Sequence, residues 1–186
     1  MPQDLRDVAP RLLTEPPALP DGAPAGVLVP VLEGPEPSVF FTVRADSLRN
    51  HGGEISFPGG RAHPEDADLM ATALRETQEE LGLAPESVEI IGCLPFVHTR
   101  VTGFVVVPYV GLLSERPEFV PNPHEIAEVL EVPISALLAA EEEREWEFDA
   151  ERYQTYQYAH GAHTVWGATA RIVKDLLDRL REEGWG

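Results

Sequence analysis

Residues 75–83, "RETQEELGL", place Glu76, Glu79 and Glu80 within five positions and follow them with Gly82 and Leu83. At helical spacing the three carboxylates fall within an arc of about 100° on one face, where like charges repel. Met70, Leu74, Thr77 and Leu81 lie roughly opposite, so one stripe is expected to pack inward while the acids project together. Arg75 stands four residues before Glu79, the spacing of a helical ion pair. The segment from Pro64 to Leu81 reads as one helix, with Pro64 in its first turn and Gly82 at its end. A solvated acidic face would satisfy this pattern. So would a site for hard divalent cations, since Mg²⁺ and Mn²⁺ take oxygen ligands and bridge carboxylates to phosphates. The upstream "FPGG", residues 57–60, brings a turn able to approach closely to the carboxylate face, which favours the cation site.

The rest of the chain frames this helix. Residues 1–26 hold a short amphipathic piece and then a proline-rich connection, read as an N-terminal arm before a domain spanning 27–186. "AGVLVPVLEG" and "PSVFFTVRA" predict two strands joined by a turn, and "SVEIIGCLPFV" and "GFVVVPYVGLL" two more. "NPHEIAEVLEVPISALLAAEEEREW" opens with a turn and mixes strand and helix character. "YQTYQYAHGAHTVWG" predicts aromatic strands around a glycine turn. "TARIVKDLLDRLREE" predicts a helix with Ile172, Val173, Leu176, Leu177 and Leu180 on its apolar stripe. Irregular interleaving of strands and helices points to a mixed sheet covered by helices. The lone cysteine, Cys93, excludes an intramolecular disulfide and reads as a small buried hydrophobe. With no apolar run of membrane-spanning length and no signal-peptide pattern, a soluble cytoplasmic protein is expected.

The stretch Gly59 to Leu83, "GGRAHPEDADLMATALRETQEELGL", resembles the signature of the Nudix hydrolases. Its second half matches at Arg75-Glu76, Glu79-Glu80, Gly82 and Leu83. The resemblance implies an α/β (α+β) Nudix fold, an α/β/α sandwich with a mixed β-sheet between helices. It also implies Mg²⁺- or Mn²⁺-dependent hydrolysis of a nucleoside diphosphate derivative, with Glu76, Glu79 and Glu80 as metal ligands. The first half departs from the family pattern. Ala67 stands where an acid is usual and Arg61 where a glycine is usual, and a one-residue insertion restores Gly60 and Asp66. Asp66 or Asp68 then takes the place of the usual glutamate.

The preceding segment narrows the resemblance. "FFTVRADSLRNHGGEISFPGG" is similar to the additional signature of the coenzyme A pyrophosphatase branch, at Thr42, Arg44, Ala45, Arg49, Gly53 and Phe57-Pro58-Gly59-Gly60. Phe40 and Phe41 replace two leucines, and Glu54 stands where the branch has glutamine. A formal net charge of −18 repels nucleic acid, anionic membranes and anionic substrates alike unless arginines or cations reverse it locally. Arg44 and Arg49 suit that purpose, because guanidinium groups hold phosphates by paired hydrogen bonds; pairing with surface acids is the alternative. Gly59 and Gly60 join them as candidate substrate-binding residues. Glu125, in "NPHEIAEV", is a further candidate base or ligand, with Glu128 second. The candidate catalytic set is therefore Glu79, Glu76, Glu125 and Arg75. Phe104 and Trp166 are expected in the core. His51 and His124 lie near the expected site, and His160 and His163 show no metal pattern. The expected reaction is cleavage of coenzyme A or a derivative into 3′,5′-ADP and 4′-phosphopantetheine. The alternatives are another Nudix specificity such as ADP-ribose or NADH, a non-catalytic Nudix-like binding or regulatory module, or a structural protein with an acidic helix. A homodimer is a reasonable expectation for such a chain.

Overall fold

The computed structural model describes residues 4–45, 53–99, 103–148 and 151–186. Two apolar strands run side by side through its centre. β1 (Ala23–Leu32) pairs in parallel with β7 (Phe104–Leu113) over ten residue pairs without a shift. Both read as nearly unbroken apolar runs, as a strand covered on both faces must. β2 (Ser38–Arg44) returns antiparallel beside the end of β1, and β3 (Ile55–Ser56) pairs with β2. β4 (Gly59–Arg61) pairs antiparallel with the start of β1. β5 (Glu89–Cys93) and β6 (Val97–His98) flank β7. β8 (Ile126–Pro133) completes the sheet against β2.

Alternation along the strands splits the core in two. Val29, Val31, Val110 and Leu112 face one way, Leu28, Leu32, Tyr109 and Leu113 the other. The second face is covered by α1 (Leu69–Leu81) through Ala73 and Leu81. The first is covered by α3 (Gly167–Glu182), whose Ile172, Val173, Leu176, Leu177 and Leu180 are all buried, as the stripe predicted. The short α2 (Ile134–Ala140) joins it there. The expected α/β/α sandwich around a mixed sheet is therefore the architecture found. A second antiparallel sheet, β9 (Glu141–Phe148), β10 (Glu151–His160) and β11 (His163–Val165), was not anticipated as a separate unit. Tyr158 and Val165 anchor it to the core.

The N-terminal piece forms a 3-10 helix, Leu5–Arg11, and buries Leu5, Val8 and Leu12 in the core below α3. Leu13 and Cys93 then exchange backbone hydrogen bonds of 2.9 and 2.8 Å. Cys93 is buried, as expected. The first strand starts at Ala23, upstream of position 27. Trp166 departs from expectation: it flanks α3 as its N-cap residue and is 54% exposed. Phe104 is half-buried and packs against the core. No described helix is long and apolar enough to cross a membrane.

Candidate functional site

The helix α1 starts five residues later than the sequence pattern predicted. Asp68 caps it by accepting from the Ala71 N–H at 2.7 Å, so Pro64 stays in the preceding loop. Its end is as expected: Gly82 adopts φ 68°, a left-handed conformation, and its N–H closes on the Gln78 carbonyl. The inward stripe is Ala73, Thr77 and Leu81; Met70, assigned inward from its spacing, is exposed.

The three glutamates do not share one environment. Glu80 is only 4% exposed, because it lies seven residues from Ala73 and three from Thr77, on the packed face. Burial pushes its carboxyl up to about 7, with Glu76 and Glu125 adding repulsion; the Gly59 N–H and the Arg44 charge oppose the rise. Gly59 donates to Glu80 Oε2 at 3.2 Å. Glu79 is turned outward, 59% exposed, and meets Arg75 Nη1 at 3.3 Å, the helical pair the spacing predicted. Glu76 also takes Arg75 Nη1, at 2.9 Å through Oε1.

The glycine pair is strand β4, which lies along β1 and so reaches the helix face. At Gly59, with φ 148°, an added Cβ would lie 2.4 Å from the Gly26 carbonyl oxygen and 2.6 Å from Val27 Cα. Only glycine fits against that backbone. At Gly60 the added Cβ would instead lie 2.6 Å from Glu76 Cδ, so any side chain there displaces the carboxylate itself.

Asp66 anchors the arrangement from the loop before α1. Its side chain, 7% exposed, accepts from Arg75 Nε at 2.8 Å and Nη2 at 3.0 Å. The His63 N–H at 2.9 Å and Thr72 Oγ1 at 2.8 Å complete its partners. Arg75 first, then the His63 N–H, holds the Asp66 carboxyl well below the usual range. Of the two acids considered for the irregular half of the signature, Asp66 therefore meets Arg75, and Asp68 serves as the helix cap.

Arg44 ends β2 on the α1 side. Its Nε is buried and has no hydrogen-bond partner among the described residues, and its charge favours ionisation of Glu80. Arg49 and His51 lie outside the described residues. Gly53 N–H donates to the Arg44 carbonyl at 2.9 Å, and Arg44 N–H to the Glu54 carbonyl at 3.0 Å, so the chain departs and returns beside this arginine.

Glu125 lies close enough for its charge to oppose ionisation of Glu80. Its carbonyl accepts from the Ala45 N–H at 2.8 Å, and Asn122 Nδ2 donates to its Oε1 at 2.8 Å. Asn122 was not singled out from the sequence; its turn-forming "NP" context was the available signal. Glu128 instead pairs with His163, 3.4 Å away. His124 is exposed and meets Asn122 through its backbone.

Among the described residues no three carboxylate, imidazole or thiolate groups are gathered into a ready metal cage. The donor chemistry of Glu76 and Glu80 nonetheless fits a hard divalent cation: both offer oxygen, and a cation beside Glu80 would relieve the burial penalty on its anion. The arrangement thus sets acids able to hold cations, an arginine with an unused buried N–H, and close-approaching backbone at one end of the sheet.

Comparison with known proteins agrees with this architecture. The NUDIX domain pattern matches residues 22–156. A Nudix hydrolase designated NudL from Pectobacterium atrosepticum is 40% identical over 162 residues, covering 85% of this chain and 83% of that protein. Among solved structures, a MutT/nudix family protein from Enterococcus faecalis has a TM-score of 0.61 at 17% identity, over 91% of this chain and 66% of the other. The NUDIX domain of Shewanella oneidensis NrtR, solved with ADP ribose, has a TM-score of 0.56 at 18% identity, over 89% and 90% of the two chains. These two likenesses speak to the fold. Profile and sequence identity together show that this chain belongs to the Nudix hydrolase family.

Proposed function

We propose that the chain cleaves the diphosphate of coenzyme A and its derivatives to 3′,5′-ADP and 4′-phosphopantetheine. The observation that carries this reading is Arg44: its buried Nε lacks a partner among the described residues and lies beside the Glu80 site. A buried, unsatisfied N–H costs stability unless a ligand completes it. A phosphate oxygen does so, and the sequence around Arg44 is the part that resembles the coenzyme A branch. Arg49, five positions on, is assigned to the same anion.

Glu76, Glu79 and Glu80 are the proposed ligands for Mg²⁺ or Mn²⁺. When bound, such a cation neutralises diphosphate charge and makes water a better nucleophile. The protein's own groups do the rest. Gly59 and Gly60 let β4 lie against the β1 backbone and the Glu76 carboxylate, which keeps the glutamates in place, and Arg44 binds a phosphate and offsets the chain's acidity. Water oxygen bonds to phosphorus, the bridging P–O bond breaks, and the water's proton passes to a carboxylate. The candidates for that carboxylate are Glu76, Glu79 and Glu125. Glu125 suits it best, because Arg75 already engages the other two.

The test is product analysis. Coenzyme A, ADP-ribose and NADH are incubated separately with the protein, with and without Mg²⁺ or Mn²⁺, and products are identified by chromatography and mass. The expected result is 3′,5′-ADP and 4′-phosphopantetheine, formed only with the cation and faster than products from the other two. Preferential turnover of ADP-ribose or NADH would overturn the coenzyme A assignment, and no turnover of any would favour a binding module.

A further inference from the structure

We propose that Asn122 is a positioning residue for Glu125, fixing its carboxylate beside the Glu80 site by clamping the loop to the end of α1. This rests on Glu125 as the proton acceptor in the reading above. The last carbonyls of a helix lack partners within it. Here two of them are taken by the loop: Val120 N–H donates to the Leu81 carbonyl and Asn122 N–H to the Glu80 carbonyl, each at 2.8 Å. The loop bearing Glu125 is thereby docked onto the turn of helix that bears Glu80.

Asn122 then uses its remaining groups on the same task. Its carbonyl accepts from Glu125 N–H at 3.0 Å and Ile126 N–H at 2.8 Å. Its Oδ1 accepts from His124 N–H at 3.1 Å. A backbone N–H can only donate, so this bond fixes the oxygen on that side and turns the NH₂ to the carboxylate. The bond from Nδ2 to Glu125 Oε1 at 2.8 Å follows from that orientation. One side chain must therefore accept and donate at once across a two-sided turn, which asparagine does and aspartate does not. From the far side, the Ala45 N–H holds the Glu125 carbonyl, one residue past Arg44. Glu125 is pinned between the arginine strand and the glutamate helix.

Asn122→Asp isolates the donor. It keeps the acceptor for His124 and the backbone bonds, but sets a carboxylate against Glu125 Oε1. Steady-state hydrolysis of coenzyme A, or of ADP-ribose should that be the compound turned over, is measured for wild type, Asn122→Asp, Glu125→Gln and the double variant, with thermal melts of each. The expected result is a fall in kcat of about 10–100-fold for Asn122→Asp with KM within about threefold, and little further loss when it is added to Glu125→Gln. Should Asp at 122 prevent folding, the same cycle is read on Asn122→Ala. Unchanged kcat, or losses that multiply in the double variant, would overturn the role of Asn122 and leave Glu125 standing. Full activity of Glu125→Gln would instead remove the base assignment, and the role of Asn122 with it.

Discussion

Replacing Glu80 by Gln is expected to cut hydrolysis by at least about 100-fold while making the cation-free protein more stable at neutral and alkaline pH. The two effects come from one cause. Glu80 is buried, and its carboxyl is raised from 4.5 to about 7, chiefly by that burial. Between those values the folded chain keeps a proton that the unfolded chain has released. Stability therefore declines as pH rises through this window, and the penalty is fully present above pH 7. A shift of this size corresponds to about 3 kcal/mol. Glutamine has nearly the same shape, can still accept from the Gly59 N–H through its oxygen, and carries no charge to bury. Melts in chelator should show Glu80→Gln several degrees above wild type at pH 8, with the difference vanishing toward pH 4.5. Equal melting at pH 8 would show that the Glu80 anion is not under strain. A buried charge kept at such a cost is what a proposed cation site would hold, since a divalent cation binding the folded chain would offset the penalty.

The second large effect is expected at Arg75. Its guanidinium makes two bonds to Asp66, of 2.8 and 3.0 Å, and reaches Glu76 and Glu79 at 2.9 and 3.3 Å. Lysine keeps the charge but has no planar fork, so it cannot hold Asp66 by two bonds and Glu76 by a third. Arg75→Lys should lower kcat by about 100-fold or more as Glu76 loses its fixed orientation. Stability should fall as well, because Asp66 loses its paired bonds to the guanidinium and keeps only its His63 and Thr72 partners. Urea unfolding and steady-state kinetics on the same preparation check both parts. A variant with wild-type kcat would show that Arg75 does no more than hold the loop to the helix.

The readable parts of the sequence were those set by local periodicity. The apolar stripe of α3, the Gly82 stop and the Arg75–Glu79 spacing all depend on residues within one helix, and all are found. The branched and aromatic runs gave the strands for the same reason. What the pattern missed depends on distant partners. The ten-pair parallel match of β1 with β7 joins segments some eighty residues apart, and no local signal encodes it. The "FPGG" glycines read as a turn, yet β1 recruits Gly59 and Gly60 as a strand. Helical spacing placed Glu80 with two projecting acids, although its relation to Ala73 and Thr77 puts it on the packed side. Asp68 outcompetes Pro64 as the helix start because its carboxylate satisfies a free N–H, which proline cannot. Asp66 could be aligned from the signature, but its bonds to Arg75 emerge only once loop and helix meet. Asn122 was invisible for a related reason: its role lies in side-chain bonds across a turn.

On the proposed reading, the acids of α1 take up divalent cations which they share with a diphosphate. Manganese is the direct probe, since its electron paramagnetic resonance signal distinguishes free from bound ion. Titration of the intact protein, alone and with coenzyme A, against Glu76→Gln and Glu80→Gln, gives the decisive comparison. Saturable binding is expected in wild type, tighter with coenzyme A present, with a loss of at least about tenfold in affinity in each variant. Manganese uptake that is the same in all three proteins, or absent from wild type with coenzyme A present, would contradict it.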